Sequence, residues 1–153
     1  MSGLSREGGV GSGSFLLERL GEEVARAARH RLPLSCVLFR VRAHDGRSGD
    51  RATHAATLLA RLMVRDDDVV AELGCGHFGI VANSTGDGAR ILAEVLIREL
   101  QAFEFTDRGQ QVALEVAFGV SEHEDGKSPA VLLEEARAAL DQQKRSPELQ
   151  EQH

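Results

Sequence analysis

The sequence predicts an α/β domain of the α+β kind, with a central mixed or antiparallel sheet flanked by helices. Three observations carry this. Apolar residues at helical spacing alternate with short apolar runs, in the order α-β-α-β-β-α-β-α. Two of the runs are joined only by Gly74-Cys75-Gly76, which reads as the turn of a hairpin. The 153 residues, 42% of them hydrophobic, suffice for one domain with a buried core.

Each element has its own signal. Phe15 to Arg29 places Leu16, Leu20, Val24 and Ala27 on one helical face. "LSCVLFRV", Leu34 to Val41, follows Pro33 and reads as a buried strand. Asp50 to Val64 is helical, with Ala55, Leu59, Leu62 and Met63 expected on its inner face. "DVVAEL" and "HFGIVA" form the hairpin. Ala89 to Phe103 repeats the helical period through Leu92, Leu96 and Leu100, and Val112 to Val120 is a further strand. Ser128-Pro129 supplies an N-cap and a first-turn proline to a last helix that aligns Leu132, Ala136 and Leu140. Residues 1–12 read as a flexible, Gly- and Ser-rich tail, 13–144 as the domain, and 145–153 as a second flexible tail.

Composition excludes some functions. The net charge of −6 argues against a general nucleic-acid binder, since phosphate backbones need a basic face. No run is long and apolar enough to span a membrane, and no signal-peptide pattern opens the chain, so a cytoplasmic location is expected. The two cysteines, Cys36 and Cys75, lie far apart and read as reduced thiols, one in a strand and one in a turn.

Several strings, in order, resemble the GGDEF domain of bacterial diguanylate cyclases, from about Gly9 to Lys144. "RLPLSCVLFRV" resembles the family's first strand and lead-in. Gly49-Asp50 resembles the segment opening its second helix. "RDDDVVAELGCGHF" resembles its Arg-x-x-Asp, short strand and signature hairpin. "VAFGV" resembles a late strand, and "EEARAALDQQK" the final helix, with Ala136, Ala139, Leu140 and Lys144 in register. The resemblance implies a nucleotidyl-cyclase-like fold. Active members of that family join two GTP molecules into cyclic di-GMP, with divalent metal on the phosphates.

The departures fall on the catalytic positions that the resemblance implies. Hard cations need oxygen ligands. The family's first-strand carboxylate falls in Arg40-Val41-Arg42, and guanidinium has no acceptor. The hairpin Gly74, Cys75, Gly76, His77 and Phe78 has glycine where the second carboxylate belongs, histidine at the next, acidic position, and cysteine at the second glycine. The Val41 to Gly49 segment is shorter than the family's and lacks its guanine-recognising asparagine region. The resemblance thus implies no catalysis and no cofactor.

Arg65 and Asp68 occupy the family's Arg-x-x-Asp position, which binds cyclic di-GMP product. Arginine forks onto phosphate or guanine, and a carboxylate accepts guanine N–H groups. The plain alternative is a solvated turn with Arg65 favouring the helix C-terminus. The family's further arginine falls at Val95, with Arg98 one turn on. Two readings follow: a catalytically inactive signalling module that receives cyclic di-GMP at Arg65 and Asp68, or a protein-interaction module with no nucleotide ligand. A protein partner is expected on either reading, nucleic acid or membrane on neither, and a homodimer is compatible with both.

Overall fold

The computed structural model describes residues 13–151, with side chains for 14–143. The elements are α1 (Gly13–His30), β1 (Ser35–Ala43), α2 (Gly49–Met63), β2 (Val69–Gly74), β3 (His77–Ala82), α3 (Gly86–Ala102), β4 (Thr106–Asp107), β5 (Gln110–Gln111), β6 (Leu114–Glu122) and α4 (Pro129–Glu151). Four strands form one sheet in the order β2-β3-β1-β6, and β4-β5 is a separate small hairpin. Every pairing is antiparallel, which resolves the mixed-or-antiparallel expectation.

β1 reads as a continuous apolar run because helices cover both sheet faces. Val37, Phe39 and Val41 face a core built with α2 and α3, including Ala56, Ala60, Ala93 and Leu96. Cys36 and Leu38 face a second core with Leu16 and Leu20 of α1 and Leu132, Ala136 and Leu140 of α4. Burial pushes the Cys36 thiol up to about 12. In the first core Phe39 stacks on its cross-strand neighbour Phe78, ring centroids 4.5 Å apart. Phe118 of β6 sits 6.3 Å from Phe39 on the other side. Such pairs contribute about 0.5–1.5 kcal/mol beyond area burial.

α4 lies directly on β6. A methyl at Gly119 would meet Leu140 N at 2.2 Å, so only glycine admits this approach. Ser128 caps α4 as expected, its Oγ accepting the Val131 N–H at 3.2 Å. The helix runs to Glu151, past Lys144, where the sequence reading starts a tail. Arg145, Glu148, Gln150 and Glu151 are good helix formers, while Pro147 removes one backbone donor from that stretch. The expected 1–12 tail lies outside the described residues.

The face of α2 corrects the sequence reading. Its fully buried residues are Ala52, Thr53, Ala56, Thr57 and Ala60; Ala55, Leu59 and Met63 pack partly buried against the same core, and of the residues expected there only Leu62, 83% exposed, lies outside it. Small side chains let the helix sit close to the sheet. Thr53 and Thr57 bury their hydroxyls by donating to the Gly49 and Thr53 carbonyls at 2.7 Å.

Candidate functional site

The signature hairpin closes in two residues. Cys75 and Gly76 have φ of 54° and 82°, the left-handed pair of a tight hairpin turn. Gly74 pairs with His77 across the turn, after a register shift between Glu72 and Gly74. The turn is tied to β1 by the Val41 N–H donating to Gly76 O at 2.8 Å. A methyl at Gly76 would lie 3.1 Å from the Val41 carbonyl oxygen, so glycine fits this position for two reasons at once. Phe78 is buried and Cys75 exposed.

Arg40 of β1 is directly opposite His77 of β3 and Ala117 of β6. Arg42 is exposed and opposite Glu115. The strand end and the hairpin are therefore neighbours, as the sequence reading requires. What they bring together is guanidinium and imidazole, with no carboxylate from Arg40, Arg42, Gly76 or His77. Among the described residues no group of three or more His, Cys, Asp or Glu side chains is placed to hold a metal ion. His54 instead bonds Glu72, Nδ1 to Oε1 at 2.9 Å.

The Arg65–Asp68 turn lies between α2 and β2. Arg65 is exposed and Asp68 half-buried. Asp68 Oδ2 accepts the Arg65 N–H at 3.1 Å, and Oδ1 accepts the Asn83 N–H at 2.9 Å. Asn83 returns a bond, its Nδ2 donating to Asp67 O at 2.9 Å. Asp68 thus fastens this turn to the end of β3, and each of its oxygens keeps one lone pair for a further donor. Val95 of α3 is half-buried and Arg98 exposed.

A polar cluster at the opposite end of β1 was not visible in the sequence. The β4–β5 hairpin docks against the loop from His44 to Ser48. Buried Ser48 holds its Oγ 2.5 Å from Asp45 Oδ2 and 2.6 Å from Asp107 Oδ2. A hydroxyl has one proton to give, so the two carboxylates compete for it. Asp45 Oδ1 also accepts the Arg47 and Ser48 N–H groups, both at 2.9 Å, and Arg51 pairs with Asp107. The Ser48 hydroxyl and these backbone donors hold the Asp45 carboxyl down at about 2. Ser48 and Arg51 hold Asp107 below the usual carboxylate range. The available signal was "TDRGQQ", in which Gly109 follows a residue that must also take positive φ.

The comparisons with known proteins agree with this fold. The family model for the diguanylate cyclase GGDEF domain matches residues 9–150. No curated protein is detectably similar in sequence. Among solved structures, the coiled coil and GGDEF domain of DgcB from Caulobacter crescentus, in complex with c-di-GMP, superposes with a TM-score of 0.80 at 17% identity, covering 94% of this chain and 84% of that one. The active GGEEF domain of a diguanylate cyclase from Vibrio cholerae gives 0.73 at 24% identity, over 86% and 88%. Diguanylate cyclase SiaD from Pseudomonas aeruginosa, in complex with its activator SiaC, gives 0.77 at 25% identity, over 86% of this chain and 54% of that one. No helix among the described residues is long and apolar enough to cross a membrane.

Proposed function

Because the chain belongs to the diguanylate cyclase GGDEF family, we propose that it acts by binding rather than by catalysis: a regulatory domain that receives cyclic di-GMP through Arg65 and Asp68. The observation that carries the non-catalytic half is the pair Arg40 and Gly76. These positions supply a cation and a hydrogen atom where divalent metal needs oxygen. Gly76 is also a poor place to restore a carboxylate, with its φ of 82° and the Val41 carbonyl 3.1 Å from any Cβ. Purified protein given GTP with Mg²⁺ or Mn²⁺ is expected to release no cyclic di-GMP. Product above a heat-killed control overturns the reading.

The receptor half rests on the exposed Arg65 guanidinium beside a carboxylate with unused lone pairs. Arg65 is the primary contact, to phosphate or to the guanine edge. Asp68 has a double role, holding the turn to Asn83 and accepting guanine N–H groups. With Val95 in place of a further arginine, one charge-assisted contact is missing, which lowers affinity by roughly tenfold to a hundredfold. Calorimetry is expected to give micromolar, salt-sensitive binding of cyclic di-GMP. It should be lost in Arg65→Ala and unchanged in Arg40→Ala. No heat at high protein concentration, with unshifted amide signals around Arg65, discards it.

The second reading, a protein-interaction domain without nucleotide, is favoured by one observation. Leu58 and Leu62 of α2 and Ile91 of α3 are 45%, 83% and 61% exposed. These helices cover the same sheet face. If calorimetry with cyclic di-GMP is silent, these exposed apolar side chains become the leading candidate contacts.

A further inference from the structure

We propose that the cavity between the His44–Ser48 loop and the β4–β5 hairpin binds the phosphate of a small phosphorylated ligand, with the Arg47 and Arg108 guanidiniums as its donors. The cavity measures about 410 Å³ and is lined by His44, Arg47, Arg108, Gln110 and Val112, among others. Arg47 and Arg108 also line an adjoining recess of about 220 Å³ with Arg51, so the two arginines stand at the shared wall.

Three features distinguish this from an ordinary charged surface. First, two of the three acidic groups in the walls are already engaged. Asp45 accepts two backbone N–H groups and contacts Ser48, and Asp107 is held by Ser48 and Arg51. Asp50, in the smaller recess, adds a further negative charge that a ligand must tolerate. Second, neither the Arg47 nor the Arg108 guanidinium makes a hydrogen bond or ion pair with any described residue; they feel Asp45 and Asp107 only as neighbouring charges. Two guanidiniums without partners among the described residues, on one cavity of a chain of net charge −6, are matched to phosphate oxygens. Third, Arg108 holds φ at 54°, a left-handed conformation that asparagine or glycine adopts far more readily. The hairpin turn sets that dihedral, as it does at Cys75; what is particular to Arg108 is that its side chain lines the cavity. The Gln110 and Gln111 amides and the Val112 side chain offer hydrogen bonds and an apolar patch for the rest of the ligand. The site is separate from the Arg65 turn and does not depend on cyclic di-GMP binding there.

The test uses the full chain labelled with ¹⁵N, following the Arg Nε–H and Gln side-chain signals during titration with inorganic phosphate, GMP and guanosine. Phosphate and GMP are expected to shift Arg47 and Arg108 saturably, and guanosine is expected not to. Tighter binding of GMP than of phosphate identifies an organic phosphate as the ligand, and equal binding identifies the inorganic anion; either supports the site. The Arg47→Ala/Arg108→Ala protein, checked for an unchanged melting curve, should bind at least about tenfold more weakly. Arg108→Lys should retain part of the affinity, and Arg61→Ala all of it. The proposal is overturned by the absence of saturable shifts at millimolar phosphate and GMP, by guanosine binding as well as GMP, or by a folded double variant with unchanged affinity.

Discussion

The Cys75–Gly76 turn and the Arg108–Gly109 turn use the same backbone. The first residue has φ 54° in both, and the glycine that follows has 82° in one and 79° in the other. Their surroundings differ. The first turn joins two strands of the main sheet, is tied down by a backbone bond to Val41, and is followed at once by buried Phe78. The second joins two strands of two residues each and is tied down by side chains, through Asp107 to Ser48 and Arg51. The turn that the core holds in place carries a thiol and a hydrogen atom. The turn that polar side chains anchor, beyond the core residues Phe105 and Val112, carries a guanidinium at a cavity. Similar backbone geometry therefore says little about chemistry; the side chain placed on it, and what anchors the turn, decide that.

The largest expected effect separates the two glycines. Gly76→Ala forces a left-handed alanine and presses a methyl on the Val41 carbonyl, which should destabilise the fold by about 2 kcal/mol or more. Gly109→Ala meets open space and should lose about 1 kcal/mol, from the dihedral alone. Urea unfolding of both variants checks this. Equal losses would mean that Val41 is not felt.

A smaller effect runs the other way. Asparagine tolerates positive φ, so Cys75→Asn and Arg108→Asn should each stabilise by roughly 0.5–1 kcal/mol. The two should part on ligand: Arg108→Asn loses phosphate binding while gaining stability, and Cys75→Asn changes stability alone. A loss of stability in either would show that its side chain contributes more than the strain removes.

The smallest effect is local and depends on pH. Asp45 and Asp107 have folded pKa values below their unfolded ones. Their contribution is therefore complete above the unfolded carboxylate range and lost as pH falls through the folded values, about 2 for Asp45. Between about pH 4 and pH 2, amide shifts of Gly109 and Gln110 should move as the β4–β5 hairpin loosens. The Gly76 amide, in a turn held by a backbone bond, should stay put over the same range. A Gly109 shift that stays constant would mean that Asp107 does not anchor its hairpin.

The same contrast explains what the sequence could show. The eight larger elements were legible because each carries its own period or cap: Leu16 and Leu20 a turn apart, Ser128 before Pro129, a β1 with no polar residue from Cys36 to Phe39. The β4–β5 hairpin was not, since two polar residues on each side of Arg-Gly give no alternation to read. On α2 the larger side chains Leu59 and Met63 reach the core only in part, because the closest approach belongs to alanine and threonine. The sheet takes Ala52, Ala56 and Ala60, while Leu62 is left outside. Spacing located Arg65 and Asp68 but held no information on where the carboxylate oxygens go. Likewise nothing in "AHDGRS" announces that Ser48 reaches across to Asp107, a residue 59 positions away.

The two cysteines give the chain a built-in label. Cys36 is wholly enclosed and its thiol is kept protonated, while Cys75 stands open at the tip of the hairpin. An alkylating reagent at mild pH should therefore modify the native chain at a single place and the denatured chain at both. A fluorophore can be attached to Cys75 without engineering, at the exposed tip of the β2–β3 hairpin. The slow appearance of a second adduct would count openings of the core, one molecule at a time.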